Sequence, residues 1–564
     1  MFISKPHDGE KSLRKRLQVP VGVTDGNIRS QMPAQHQLFF TNLSYFILSS
    51  LDEQGRPWAT IVTGKPGFCH VLSRNHLAIH TTPIPSDPLI HNMQSGEKIN
   101  GTRMVAGLGI DFSNRRRNKV LGRVSNQCFE CNEEKDDVLN ILIDTEESVG
   151  NCPKYITIRE LTHHVASPVS TSKLDSGILP EDCLSTIWGA STVFIATKHT
   201  SSTSSHMGVN HRGGPPGFLR VSLDRSTVYL PDYSGNRFYQ SLGNIETDPV
   251  AGLCIVDFGT GNVLWLTGTA KNLFSEEAQA VLSASYNIIT EIKVTGWVYV
   301  KDGLTLRSKD IEYSPYNPAL AYLAHELSAR KIQQTPSIIA TLSSIKKITP
   351  TISTFRFTTS GSISIKNGQF AILDFSQEFT TKYQHMNDAS PKSLNDDYTR
   401  SWTISSSSSG KSFDITVRKI DGGKVSEYLH TCSSLRVPLK GIGGDFIYKG
   451  NDSLFIAGGI GITPVVAMQK DFDNQKKNHL LFSLREGDEG LLDCIDKDKF
   501  ASVKIFISRK NQGRLLKEDV EKILQENKNL DVYVCGPATF MKVVLTWLQE
   551  IGFSQNVYTE EFTY

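Results

Sequence analysis

Apolar residues along this chain fall in short runs with a period of two for most of its length. Near the C-terminus the pattern changes to apolar runs separated by helical stretches. In the first third, residues 46–48, 58–62, 76–80, 105–112 and 119–124 read as successive strands, with a helical stretch at 87–95. Alternation of this kind marks strands buried on one face, and several in a row around one short helix predict a small barrel. From about residue 336 further short strands follow, at 337–342, 353–357, 370–375, 400–405 and 413–418, with Gly, Ser and Asn turns between them. These predict a second kind of antiparallel barrel. From about residue 451 the runs 453–457, 479–484, 503–507 and 531–535 alternate with helical segments at 517–525 and 538–550. Strand–helix alternation predicts a parallel sheet with helices on its faces. The expected fold class is therefore multidomain: all-β in the N-terminal half, then an antiparallel barrel, then an α/β domain.

The N-terminal half repeats itself. Pro66-Gly67-Phe68 recurs as Pro216-Gly217-Phe218. The run Val105-Ala-Gly-Leu-Gly-Ile110 recurs as Val250-Ala-Gly-Leu-Cys-Ile255, followed in each copy by Asp-Phe, at 111–112 and 257–258. Order and spacing are kept, so the half reads as two copies of one unit. Expected boundaries are 1–165 and 166–330 for the copies, 336–450 for the antiparallel barrel and 451–564 for the α/β domain. The polar stretch between Phe375 and Arg400 reads as a solvated loop.

Composition narrows the picture. The chain has 564 residues, 39% hydrophobic, with a formal net charge of +2. At roughly 150 residues per domain this length fits three or four domains. The charge gives no global field for nucleic acid, and no apolar run approaches the ~20 residues that span a bilayer, so neither nucleic-acid nor membrane partners are expected. The N-terminus lacks an apolar signal core, and nine cysteines read as reduced thiols of a cytoplasmic protein. Cys128, Cys131, Cys152, His163 and His164 are too irregularly spaced for zinc, and no metal is expected.

Three runs carry the chemistry: Arg400-Ser401-Trp402-Thr403, Gly458-Gly459-Ile460-Gly461-Ile462-Thr463-Pro464, and Cys535-Gly536-Pro537. Glycines after a strand let the backbone approach a bulky anion, and the helix that follows offers free N–H groups to a pyrophosphate. Together the runs resemble the ferredoxin–NADP reductase superfamily, over about residues 336–564. The resemblance implies FAD on the first run, with Arg400 on a phosphate, Thr403 on the reactive edge of the flavin, and Ser401 and Trp402 beside them. Trp402 departs from the usual Tyr. Lys424, Val425 and Ser426 resemble the segment that holds the FAD pyrophosphate, or form a plain turn with Ser as helix cap. Gly458, Gly459, Gly461, Thr463 and Pro464 would take NAD(P)H, with Cys535, Gly536 and Pro537 beside the nicotinamide. Phe540 would line the site, and Phe562 or Tyr564 would shield the flavin. Arg509 or Lys510 would select a 2′-phosphate or form a solvated strand end. The implied catalytic set is Thr403, Cys535 and Phe562.

The second copy, through residues 217–249, resembles the pyridoxamine-phosphate-oxidase-like split barrel. That resemblance implies FMN, its phosphate held by Arg220, Asn236 and Arg237. In the first copy His70 stands near the position of Arg220, and Ser86-Asp87-Pro88 replaces Gly-Asn-Arg, so Asp87 would repel a phosphate. A fused pair would form a pseudo-dimer with one intact site. Arg115–Arg117 could reach across to it or form a basic hairpin turn; His211 or Arg212 could face its ligand or sit in a glycine-rich hairpin.

Two functional readings follow. In the first, electrons pass from NAD(P)H through FAD to a flavin or a small-molecule substrate in the tandem barrels. In the second, the chain is an NAD(P)H reductase for an external haem or iron–sulfur electron-transfer protein, with the barrels as a cofactor-free docking module.

Overall fold

The computed structural model describes residues 6–20, 28–125, 138–150, 152–202, 204–282, 288–329, 333–334, 338–379, 383–406, 410–473, 475–508, 513–527, 529–553 and 556–561. The chain divides into two compact units, one of Met1–Ala324 with Lys382–Asp396, the other of His325–Thr381 with Asp397–Tyr564.

The first unit holds two eight-stranded antiparallel sheets of one topology. In the first sheet the strands run Pro57–Thr63, Tyr45–Leu51, Met104–Asp111, Arg116–Val124, Leu139–Gly150, His76–Thr81, Cys69–Ser73. In the second, Ser205–Gly213, Thr192–Thr200, Val250–Val256, Val263–Phe274, Ile288–Lys301, Thr227–Pro231 and Arg220–Val221 take the corresponding places. An eighth strand pairs off this path in each, Ile28–Arg29 on Leu139–Gly150 and Val169–Lys173 on Ile288–Lys301. The duplication foreseen from the glycine-flanked runs is thus present in the strand order. Each sheet has eight strands against the five read in the first copy, and the pairings among the described residues form an open path without barrel closure.

The copies share one core. Trp58, Ile61 and Phe112 of the first pack with Phe194, Trp265 and Phe258 of the second. The two phenylalanines of the repeated Asp-Phe pairs, Phe112 and Phe258, meet with ring centroids 5.4 Å apart. Gly252 permits a second close approach of the copies: a Cβ there would fall 2.1 Å from the Pro57 carbonyl oxygen. No helix among the described residues is long and apolar enough to cross a membrane.

The second unit contains an antiparallel sheet in the order Thr399–Thr403, Phe370–Asp374, Arg436–Gly443, Ile339–Lys347, Ile352–Ile363, Gly410–Arg418. Gln333–Gln334 adds to Arg436–Gly443 as its seventh strand. Beside it lies a parallel sheet in the order Ser502–Ser508, Asn478–Arg485, Ser453–Gly458, Asp531–Gly536, Val557–Glu561. Ser453–Gly458 and Asp531–Gly536 are buried at every residue, as continuous apolar runs covered on both faces should be. Val557–Glu561 was not foreseen as a strand, because Val-Tyr-Thr-Glu-Glu carries no apolar alternation. A bidentate ion pair from Arg418 to Asp488, at 2.6 and 3.1 Å, ties the two sheets' domains together.

Residues 383–396 differ from the solvated loop expected of them. They belong to the first unit, so the chain leaves the antiparallel sheet after Phe370–Asp374, contributes to the other unit, and returns to form Thr399–Thr403.

Candidate functional site

In the parallel sheet, successive strands leave Ser453–Gly458 in opposite directions. The crevice between its carboxyl end and that of Asp531–Gly536 is the switch point where such sheets bind ligands. Both motif runs end there. Ala457 and Cys535 are register partners. A Cβ on Gly461 would lie 2.5 Å from the Cys535 carbonyl oxygen, and one on Gly536 only 2.7 Å from Phe540. Glycine at these positions therefore lets the strand ends and Phe540 close together. Gly459 has φ of +55° with nothing within 4 Å of its Cβ position, which leaves a free backbone face for a ligand. Gly459–Ile462 forms a 3-10 turn ahead of the helix Thr463–Met468, so the helical turn opens earlier than the Thr463-Pro464 start expected. The Thr463 hydroxyl donates to the Ile460 carbonyl and closes that turn.

The glycine turn contacts the strand Gly410–Arg418, and Ile415 of that strand bridges to Ile404, one residue past Thr403. The arginine-bearing strand and the glycine turn thus flank the same antiparallel strand. The pleat separates the first motif into two faces, Arg400 with Trp402 and Ser401 with Thr403. Arg400 is half-buried, its Nη1 donating to the Thr399 carbonyl at 2.9 Å. Trp402 packs edge-on against Phe375 with centroids 5.6 Å apart. Thr403 is buried, and its hydroxyl has no hydrogen-bond partner among the described residues. The unpaired hydroxyl of Thr403, a half-buried arginine on the same strand and an open glycine turn make a donor set that fits FAD.

The helix Lys424–Thr431 follows Gly422, which has φ of +75° and open space at its Cβ position. Ser426 turns inward: its hydroxyl accepts from the Ile420 N–H and donates to the Gly423 carbonyl. The expected contact of Ser426 with a pyrophosphate is thus replaced by closure of its own loop. The first N–H groups of this helix remain without intrahelical partners. Lys424 reaches over the ring of Tyr398, and Val425 is buried in the core.

Cys535 is buried, and desolvation, with Glu560 beside it, pushes its thiol well above the ordinary range. Glu560 is its register partner across the sheet. Burial, then Asp445, pushes the Glu560 carboxyl up to about 7. Its place beside Cys535 follows from the unforeseen edge strand. Arg509, Lys510, Phe562 and Tyr564 lie outside the described residues, as do Cys128 and Cys131.

In the first unit, the second copy does not assemble the expected phosphate site. Arg220 is buried, donates from Nε to the Ala321 carbonyl at 2.9 Å and lies over the Tyr322 ring. It is not among the residues lining the nearby cavity, whereas Asn236 and Arg237 are. Asn236 caps its own turn by accepting from the Phe238 N–H. Arg237 lies with its guanidinium carbon 3.5 Å from the centroid of the Tyr383 ring. The cavity measures about 80 Å³, whereas pockets for drug-sized ligands are about 300 Å³ or more. These residues do not fit a flavin as they stand. The first copy differs again: Asp87 accepts from the Leu89 N–H as the cap of helix Pro88–Ser95 and bonds Thr60, and burial pushes its carboxyl up to about 7.

Arg117 does reach across from the first copy. Its Nε donates to the Cys152 carbonyl at 2.8 Å and its Nη1 to the His211 carbonyl at 3.2 Å. His211 is buried, and Arg212 pairs with Asp232 at 2.8 Å. His163 and His164 are exposed, and Cys152 lies 3.6 Å from the sulfur of Met386.

Residues 455–546 match the family model described as the oxidoreductase NAD-binding domain. A flavohemoprotein of Candida albicans is 30% identical over 167 residues, 25% of this chain and 41% of that protein. The glycine betaine monooxygenase reductase subunit of Pseudomonas aeruginosa is 31% identical over 187 residues, 29% of this chain and 50% of that one. The crystal structure of the flavohem-like FAD/NAD-binding domain of nitric oxide dioxygenase from Vibrio cholerae is 19% identical, covering 40% of this chain and 99% of its own, with a TM-score of 0.32. The chain spans about half the length of the curated relatives it matches. The family-model match falls on the parallel sheet of the second unit and, with the sequence matches, supports an oxidoreductase activity.

Proposed function

We propose that the second unit takes electrons from NAD(P)H onto FAD and passes them to an external haem or iron–sulfur protein. The reading rests above all on the meeting of Gly461, Cys535 and Gly536 at the switch point of the parallel sheet. An external acceptor is favoured over a flavin in the first unit because Arg237 is covered by Tyr383 and the cavity beside it is small. The relatives point the same way, one named a flavohemoprotein and another the reductase subunit of a monooxygenase.

FAD, when bound, supplies a carrier that accepts two electrons together and releases them singly. The residues hold and orient. Arg400 supplies a fixed cation for a phosphate, and Thr403 supplies its unpaired hydroxyl to the ring edge. Trp402 offers an apolar wall without the phenol hydroxyl of a Tyr. The turn at Gly459 and the helix start at Lys424 offer backbone N–H groups to pyrophosphate. Cys535 stays a neutral thiol and serves by packing.

Arg400→Ala tests the assignment. Losing a charge-assisted phosphate contact removes about 1.5–3 kcal/mol, so FAD affinity should fall about ten- to a hundred-fold. Ferricyanide reduction by NAD(P)H should fall with it and return when excess FAD is added. Unchanged FAD retention in the variant would remove Arg400 from the site.

A further inference from the structure

The cavity in the first unit is lined by four cations, Arg117, Lys154, Arg212 and Arg237, against one carboxylate, Asp232. Lys154 is engaged by the Ser234 and His385 carbonyls at 2.6 and 2.7 Å, and Arg212 by Asp232. Two cations remain. Arg237 has no ion pair or hydrogen bond among the described residues, only the Tyr383 ring. Arg117 spends Nε and Nη1 on carbonyls, and its Nη2 has no partner among the described residues. His211 adds a donor. Its Nδ1 lies 3.3 Å from Arg117 Nη1, and because a guanidinium can only donate, that nitrogen accepts and the ring proton sits on Nε2. His211 is 3% exposed, and this Nε2–H is buried with no partner. Arg117 and Arg237 are half-buried, and the buried, unmet donor beside them is costly unless an acceptor answers it.

At about 80 Å³, several times the roughly 10–15 Å³ that one water needs on such a measure, the cavity has room for a small tetrahedral oxyanion. The chain's own segment 383–396 packs against residues of its lining, on Arg237, Lys154 and Tyr155. The Tyr383 hydroxyl donates to the Gly235 carbonyl at 2.8 Å. Asn395 accepts from the Ser234 N–H at 2.8 Å and donates to the Tyr155 hydroxyl at 2.9 Å.

We propose that this cavity is an oxyanion site, taking inorganic phosphate or the phosphate of a small monoester, with residues 383–396 as its cover. Electron entry on FAD in the second unit is independent of it; only the exclusion of a flavin from the first unit rests on the same cavity. The test is equilibrium dialysis of the full chain in chloride buffer, with inorganic phosphate in one arm and FMN in the other. One phosphate per chain should bind saturably, and FMN should bind only after Tyr383→Ala removes the ring over Arg237. Arg237→Gln, which breaks no hydrogen bond of the fold, should weaken phosphate binding at least about ten-fold. His211→Phe is a second variant that removes the buried donor, and it should weaken binding as well. Ferricyanide reduction by NAD(P)H should be unchanged in all three. Absence of saturable phosphate binding by the unaltered chain would overturn the proposal. So would stoichiometric FMN on the unaltered chain, or phosphate binding indifferent to both Arg237→Gln and His211→Phe.

Discussion

Cys535 and Glu560 sit side by side in the parallel sheet, and burial governs both. The thiol is the reactive species only as thiolate, and burial keeps Cys535 neutral. Iodoacetamide at pH 7.5 should therefore leave Cys535 unlabelled in the folded protein and label it once the chain is unfolded in guanidinium; rapid alkylation of Cys535 in the folded protein, read by peptide mass spectrometry, would contradict its packing role. Glu560 makes a prediction of opposite kind. Its folded pKa is raised to about 7 from an ordinary 4.5, so its contribution to stability is present below pH 4.5 and lost as pH rises through 7. Glu560→Gln should stabilise the protein at pH 8 by about 1–3 kcal/mol and give no gain at pH 4. Melting curves at the two pH values check this. The motif cysteine was legible from its Cys-Gly-Pro run. Glu560's partnership was not, because it depends on an edge strand whose polar sequence carries no strand signal.

Among the elements, the N-terminal helix Asp8–Arg16 was invisible to pattern reading. It is polar throughout, and it docks through His7, Gly9, Glu10 and Leu13 rather than through an apolar stripe. A Cβ on Gly9 would fall 2.1 Å from the Gly243 carbonyl oxygen of helix Gln240–Thr247. The His7 ring stacks on His199 at 3.9 Å and meets His206 at 5.4 Å. Burial lowers His7 to about 4 and His206 to about 3, and lowers His199 too. Asp8 and Asp248 oppose the shift at His7, and Lys119 reinforces it at His206. Lowered folded values mean that their stabilisation is complete above pH 6.5 and is lost as pH falls toward 4. Glu10 is raised to about 7 by burial, against the His7 N–H, Arg14 and Lys119, so it works oppositely, losing its contribution as pH rises from 4.5 to 7. Between pH 6.5 and 4.5 three histidines outweigh one carboxyl. Hydrogen exchange of amides 9–17 should accelerate on going from pH 7 to pH 5 after correction for intrinsic rates, and protection retained at pH 5 would contradict the clamp. By contrast, the duplicated strands are legible in the sequence, since the two Val-Ala-Gly-Leu runs take the same place in the strand order of their sheets. Residues 383–396 read as solvent-facing because their contacts are polar and distant in sequence.

For the whole molecule, the division into two units separates what the motifs disclosed from what they did not. The reductase residues are local in sequence and meet at strand ends, where a glycine run and a strand–helix period suffice to place them. The first unit's cavity draws Arg117 from one copy and His211 from the other, with Tyr383 of a third stretch packed on its Arg237, a convergence no periodicity encodes. This is why the expected flavin phosphate set of Arg220, Asn236 and Arg237 separated. The account's central claim is that electrons enter on FAD in the second unit and leave to a partner, without a flavin in the first. Its most direct test is acid extraction of the purified full chain, with FAD and FMN quantified by mass spectrometry and the same preparation titrated anaerobically with NADPH and NADH. The predicted result is one FAD per chain, no FMN, and full bleaching of the flavin by a reduced nicotinamide. A protein without FAD, or one carrying stoichiometric FMN beside it, would contradict the account.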